Sequence, residues 1–485
     1  MNLKIISLAG LLLIIAKIDC YAFDLEKGSF TVGFSSHKVY DHSRKYALGQ
    51  DSISRPLLIH IWYPALENSK SVALDYKHYI DLIAQREDYG VSKSDIDNMS
   101  FNYVKAYSDY AKSNFALDTS ISAGQILASP VDARGGLPLP VNDPALPLLI
   151  YAPSNGKASV QNHMICEYLA SHGFIILSVA SAGPNSINRE PMEESTIAQV
   201  LDMEYILDYA ADSLQIQYSS LGLFGFSTGG NAIALFQMRN KQVSAVLSMD
   251  GSQEYSYYMK LYKMQDFDLQ KTDIPYLGMV NSHEDYSIYP YYNSISSTEK
   301  NILRMPYLDH FGFVSNWRFF ESCSSGSGLS NMSISYDYMS KCALGFFNRY
   351  LRPGLSPTDE PQCDPKNEFI VALDQNNIPI SKFCNFILDH DTDAVVSYLN
   401  KNKSVFHEQE NEINILAKML QDNHIDISLQ LFQYNIENHP DSWQAYYLLG
   451  IACRNNDRPV LAKSALLKAQ ELNPGNAEIT KLLMQ

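Results

Sequence analysis

Hydrophobic positions along the chain fall into two regimes. Through roughly the first 320 residues, short apolar runs bounded by Gly, Pro, Ser or Asn alternate with segments of helical spacing. "PLLIHIWYPA" (Pro56 to Ala65) alternates in part and closes near a proline, as a strand does. "LPLLIYAPSNG" (Leu146 to Gly156) is a continuous apolar run that ends in turn-forming residues, and "MICEYLASHG" (Met164 to Gly173) has helical spacing and a terminal glycine. "FIILSVAS", a helical stretch from about Glu193 to Ala211, and "SLGLFGFS" follow. Next come a helix from Thr228 to about Arg239, then "VSAVLSMD" and "IPYLGMVNS". Strands without a polar face, alternating with helices, predict a mostly parallel sheet covered on both sides. That is an α/β architecture.

Two segments break this rhythm. Residues 67–136 are polar and rich in Tyr and Ser, with helical spacing in "YKHYIDLIAQ" and "NYVKAYSDYAK". They read as an insertion near one end of the sheet, either a pocket wall or lid or a surface elaboration. At the C-terminal end, "YYLLGIACRNNDRPVLAKSALLKAQELNP" (Tyr446 to Pro474) sets Leu449, Gly450, Ala462, Leu466, Ala469 and Pro474 at the offsets of a tetratricopeptide unit. "NEINILAKMLQDNHIDISLQLFQYNIENHP" (Asn411 to Pro440) looks like a more degenerate copy. Two units are too few to stack alone, so they are expected to dock on the main domain or on another chain. The predicted organisation is a leader over 1–22, an α/β domain over 23–360, a linker or subdomain over 361–405, and helical repeats over 406–485.

Composition narrows the function. With 46% apolar and 12% aromatic residues in 485, the chain can bury a large core. A net charge of −16, with no Lys/Arg cluster to relieve it, argues against nucleic acid as a partner. Lys4 followed by "IISLAGLLLIIA" (Ile5 to Ala16) and "CYA" (Cys20 to Ala22) has the plan of an export signal cut after Ala22. A lipid anchor at Cys20 is the alternative, for which Lys17 and Asp19 are poor neighbours. The mature protein is therefore expected outside the cytoplasm, periplasmic or secreted. There, Cys323 with Cys342 and Cys363 with Cys384 are candidate disulfides, while Cys166 and Cys453 lie in helical patterns and are expected as buried thiols. No His/Cys spacing suits a metal, and no cofactor is expected.

Candidate chemistry centres on Gly225-Phe226-Ser227-Thr228-Gly229, a G-x-S-x-G run between a strand pattern and a helix pattern. Ser227 is either a cap for that helix or a nucleophile on a strained corner. Glycines on both sides, needed where strand and helix crowd, favour the second reading. A serine nucleophile needs a base oriented by a carboxylate. Asp250 leaves the strand "VSAVLSMD" after Ser227, and His310 lies in "MPYLDHFGF" where the base is expected after the last strand. His283, after "YLGMVNS", is the weaker candidate. Backbone N–H donors for an oxyanion are expected at Thr228 and in the loop "APSNGK", at Asn155 first and Gly156 second. A plain turn at 153–156 remains the other reading of that loop.

"CEYLASHGF", "LGLFGFSTGG", "AVLSMDG" and "WYPA" resemble the platelet-activating-factor acetylhydrolase and dienelactone-hydrolase-like branch of the α/β-hydrolases, over roughly residues 30 to 350. The resemblance implies acyl-ester hydrolysis, with Ser227 as nucleophile, Asp250 as acid and His310 as base. A small acyl-ester or lipid-like substrate is then expected, with a protein partner or self-association possible through the tail. Amide cleavage by the same residues, or an inactive platform for the tail, are the alternatives. Dienelactone hydrolases proper use a cysteine nucleophile, so serine points to esters.

Overall fold

The computed structural model describes residues 25–114, 121–141, 145–154, 156–186, 192–282, 288–323, 329–354, 368–373 and 379–484. Eleven strands among them form one sheet: β1 (Thr31–Leu48), β2 (Asp51–Ala65), β3 (Val72–Asp75), β4 (Pro130–Gly135), β5 (Leu148–Ala152), β6 (Ile175–Val179), β7 (Leu221–Phe226), β8 (Val243–Met249), β9 (Tyr276–Val280), β10 (Lys300–Arg304) and β11 (Val371–Ala372). Their order is β11-β10-β9-β8-β7-β5-β6-β2-β1-β4-β3. From β6 through β10 every neighbouring pair is parallel. β2 joins this block antiparallel to β6 and forms a long hairpin with β1.

The apolar runs have the expected cause. Residues of β5, β6 and β7 are all buried, because helices cover both faces. Alternate residues feed different cores: Leu148, Ile150 and Ala152 face one with Val200, Ile206, Ile233 and Phe236, whereas Leu149 and Tyr151 face another with Ile165, Leu169, Leu344 and Phe347. The 67–136 segment is helical over Tyr76–Ala84, Lys93–Asn114 and Ala123–Leu127, and its β3 and β4 extend one edge of the sheet. No helix among the described residues is long and apolar enough to cross a membrane.

From Pro379 onward the described chain is helical. The first of these helices, Pro379–Asp389, brings Phe383 and Ile387 into the core that also holds Val200 and Ile233. Two antiparallel pairs follow, Glu410–Leu420 with Ile425–Asn438 and Trp443–Asn455 with Pro459–Leu472. Within the second pair a Cβ on Gly450 would sit 2.7 Å from Leu466 Cγ and 3.4 Å from the Ala462 carbonyl oxygen, so the close approach needs glycine.

Neither expected disulfide forms. Cys323 and Cys384 are free thiols, so Cys342 pairs with neither of them. Cys384 is buried in the Pro379–Asp389 helix with its sulfur 3.8 Å from Met259 Sδ, a packing position rather than a bridging one. Cys323 caps the C-terminus of the Ser315–Ser322 helix. Cys166 and Cys453 are buried free thiols, as their helical settings suggest. Cys363 lies outside the described residues.

Candidate active site

Strand register gathers the site. β6 and β7 flank β5 on opposite sides, so the chain reverses its winding there, and crevices form at the carboxyl ends of strands at such a reversal. Ala152 pairs with Gly225, Phe226 with Met249, and Met249 with Met279, so β5, β7, β8 and β9 end level with one another. Ser227 and Asp250 are the next residues along two of those strands.

Ser227 has φ +55°, in the left-handed region that a non-glycine residue occupies only when its surroundings enforce it. Here they do. Its N–H donates to the Met249 carbonyl (3.1 Å), and its own carbonyl accepts from Gly230 N (2.9 Å) and Ser252 N (2.8 Å). A Cβ on Gly225 would lie 2.6 Å from the Gly229 carbonyl oxygen, and one on Gly229 only 2.0 Å from that of Ala152. The glycines let strand and helix pass close enough for the corner to exist. The Gly229–Arg239 helix starts directly after Thr228, whose side chain adds no cap to it.

The structure brings Ser227, His310 and Asp250 into one hydrogen-bonded run. His310 Nε2 lies 3.0 Å from Ser227 Oγ, and His310 Nδ1 lies 2.5 Å from Asp250 Oδ2. A carboxylate at Nδ1 holds the ring proton on that nitrogen, which leaves Nε2 to accept from the serine hydroxyl. Phe226 packs against the imidazole at 5.0 Å between ring centres. With 38% of its side chain exposed, His310 remains reachable from outside. Its loop is tied down on both sides: Ser282 N donates to the Leu308 carbonyl (2.8 Å), and the Asp309 carboxylate accepts from Gly312 N (2.7 Å).

Two residues that sequence reasoning passed over hold the Asp250 carboxylate. Asp250 is fully buried, and Oδ1 accepts from the Tyr255 hydroxyl (2.6 Å) and Asn281 N (3.0 Å). Oδ2 accepts from Asn281 Nδ2 (3.1 Å) as well as from His310. Burial and the neighbouring Asp250 charge push the Tyr255 hydroxyl well above its ordinary range, so it stays a donor. Asn281 directly follows β9, in the segment that also carries His283, and its only sequence signal was an amide directly beyond a buried strand.

The loop after β5 abuts the corner. Ser154 Oγ is 3.5 Å from Thr228 Oγ1, and Gln199 Nε2 donates to the Pro153 carbonyl (2.8 Å), fixing the start of that loop. Gly156 has φ +67°, a turn conformation suited to glycine. Asn155 and His283 lie outside the described residues.

This strand order, with a strained serine corner after β7 and a histidine beyond β10, defines the α/β-hydrolase fold. No protein-family model matches the chain, and no curated protein matches it either. Among solved structures it is similar to a ferulic acid esterase from Streptomyces cinnamoneus at 15% identity and a TM-score of 0.47, over 71% of this chain and 97% of that one. The fold assignment rests on the strand order and corner geometry.

Proposed function

We propose that this chain is an exported serine hydrolase that cleaves carboxylic esters through an acyl-enzyme. The observation that carries the reading is the run from buried Asp250 through His310 to Ser227, whose hydroxyl sits on an enforced corner. Ser227 Oγ attacks the acyl carbon as its proton moves to His310 Nε2, and the carbonyl electron pair moves onto the oxygen. That oxyanion lies at the start of the Gly229–Arg239 helix, held by the N–H of Thr228 and a second one at Asn155 or Gly156. On collapse the bond to the alcohol breaks and the Nε2 proton passes to the departing oxygen. Water, giving its proton to the same nitrogen, then releases the acid and restores Ser227. Asp250 keeps the ring oriented and stabilises its charged form.

Placement in the platelet-activating-factor acetylhydrolase and dienelactone-hydrolase-like branch, and with it the preference for esters over amides, rests on the sequence resemblance. The paired C-terminal helices are proposed to be tetratricopeptide-like and open to a protein partner. Export is proposed on the leader over residues 1–22, and a mature N-terminus at Phe23 would support it. The central test is p-nitrophenyl acetate hydrolysis by the wild type and by Ser227→Ala. The variant should lose about three orders of magnitude or more in kcat. Equal rates remove Ser227 from the mechanism.

A further inference from the structure

We infer that the aromatic recess beside His310 seats the alcohol half of the substrate, and that it selects esters of arylalkyl alcohols. The inference rests on the hydrolase reading above and deepens it. The recess, about 320 Å³, is lined by Ala106, Tyr107 and Tyr110 from the Lys93–Asn114 helix and by Phe311 and Trp317 from the segment that carries His310. None of these side chains is charged. Phe311 directly follows His310, with its ring centre 5.7 Å from the imidazole, and is 53% exposed, so an apolar ring of the recess is held at the surface against the base; Tyr110, across the recess, is 47% exposed.

The recess is built in advance. Trp317 Nε1 donates to the Phe311 carbonyl (2.9 Å), which ties its ring to the base-bearing turn. Tyr107 and Tyr110 pack on Trp317 with ring centres 5.6 and 5.8 Å away, tilted by 35° and 38°. Gln161 Nε2 holds the Tyr107 hydroxyl (3.3 Å), while Ser315 Oγ donates to the Gln161 carbonyl (2.8 Å). The insertion thus supplies one wall and the base-bearing segment the other.

Proton transfer decides which half of the ester lies there. Nε2 must pass its proton to the departing oxygen, so that oxygen has to come within hydrogen-bond reach of His310. The acyl oxygen instead turns toward Thr228 and the loop after β5. A recess that opens from the residue next to the base therefore receives what is attached to the departing oxygen. Its volume is at the low end for ligand sites, enough for one ring on a short linker and too small for a long lipid chain. Walls made of ring faces and edges favour an aromatic guest over an alkyl one of equal size.

Benzyl acetate and n-butyl acetate share the acyl group and differ in the alcohol. In the wild type kcat/KM should favour the benzyl ester by about tenfold, and Tyr110→Ala and Phe311→Ala should each bring that ratio toward one. A ratio near one in the wild type, or one unmoved by both substitutions, overturns the assignment. Binding is read separately, by saturation-transfer NMR of benzyl alcohol on the full chain carrying Ser227→Ala. A ring signal that the added Tyr110→Ala abolishes supports the site, and no signal at all sinks it. Labelling of the wild type by an ethyl fluorophosphonate reports on the nucleophile alone. A chain that binds benzyl alcohol yet takes no label overturns the hydrolase reading, and the leaving-group role falls with it.

Discussion

Asp250 and His310 stand sixty residues apart in the chain and meet at 2.5 Å, and each oxygen of that carboxylate has two hydrogen-bond partners. An amide in its place must turn its NH2 toward donors whichever way it lies. Asp250→Asn is therefore expected to lower kcat for p-nitrophenyl acetate by about 10³–10⁴-fold, through loss of the ring tautomer, with KM little changed. Stability should fall by about 1–3 kcal/mol as well. Steady-state kinetics and urea denaturation read the two effects apart, and a variant that keeps a tenth of wild-type turnover would remove Asp250 from the proposed run.

The corner predicts a sharp contrast between glycines. At Gly229 a Cβ would lie 2.0 Å from the Ala152 carbonyl oxygen and 2.9 Å from that of Pro153, both backbone atoms that cannot step aside cheaply. Gly229→Ala should destabilise the protein by about 1–3 kcal/mol or more and misplace Ser227. At Gly124, in the Ala123–Leu127 helix, an added Cβ meets nothing within 4 Å. Gly124→Ala should stabilise by about 0.5–1 kcal/mol. Thermal melts of the two variants beside the wild type check both signs.

How much of this was legible in the sequence depends on what leaves a pattern. β5 to β9 were readable because burial on both faces removes polar positions and leaves unbroken apolar runs. β1 was not, since its middle reads His-Lys-Val-Tyr-Asp-His-Ser-Arg-Lys and its identity comes from pairing with β2, from Thr31 opposite Ala65 to Leu48 opposite Asp51. β10 is as long as β5 but has only Ile302 and Leu303 buried, so its apolar run is too short to stand out. Ser227, Asp250 and His310 could be proposed from the sequence because corners and strand ends are local signals, and the structure brings the three side chains together. Tyr255 and Asn281 serve a buried carboxylate through contacts with no periodicity, and nothing around them in the sequence marks that duty. Cysteine spacing misled for a related reason: distance along the chain says nothing about where helices aim their sulfurs.

Buried Glu167 sets a pH dependence of stability. Loss of solvent pushes its carboxyl up to about 8 from an ordinary value of 4.5, while the Tyr79 hydroxyl (2.7 Å) and Ala133 N (3.1 Å) donate to Oε1. In the unfolded chain the group ionises near 4.5, whereas in the folded chain it holds its proton until about 8. The folded state therefore binds more protons across that window, and this residue's contribution to stability declines as pH rises from about 4.5 to about 8, then levels off. Glu167→Gln retains an oxygen acceptor and cannot ionise. It should match the wild type near pH 4.5 and exceed it in melting temperature at pH 8. A difference that stays constant between the two pH values would rule out titration of Glu167 as the cause.

The C-terminal helices are joined to the sheet region through a small polar contact inside apolar surroundings. Tyr258, fully buried, donates its hydroxyl to Asn385 Oδ1 (2.6 Å), and Ser294 Oγ donates to the same oxygen (3.2 Å). Asn385 lies in the helix whose Phe383 and Ile387 share a core with residues under the sheet. Removing one partner leaves a buried polar group short of a bond, which costs more than removing both. Asn385→Leu and Tyr258→Phe should each destabilise by about 1–2 kcal/mol, and the double variant by less than their sum, with a coupling of about 1 kcal/mol. Because the contact bridges the helical region and the sheet, both should be lost in one urea transition. A zero coupling would show that the helical region is held on by the apolar packing of Phe383 and Ile387 without help from this hydrogen bond, and two separate transitions in the wild type would show that neither contact couples the two parts into one unfolding unit.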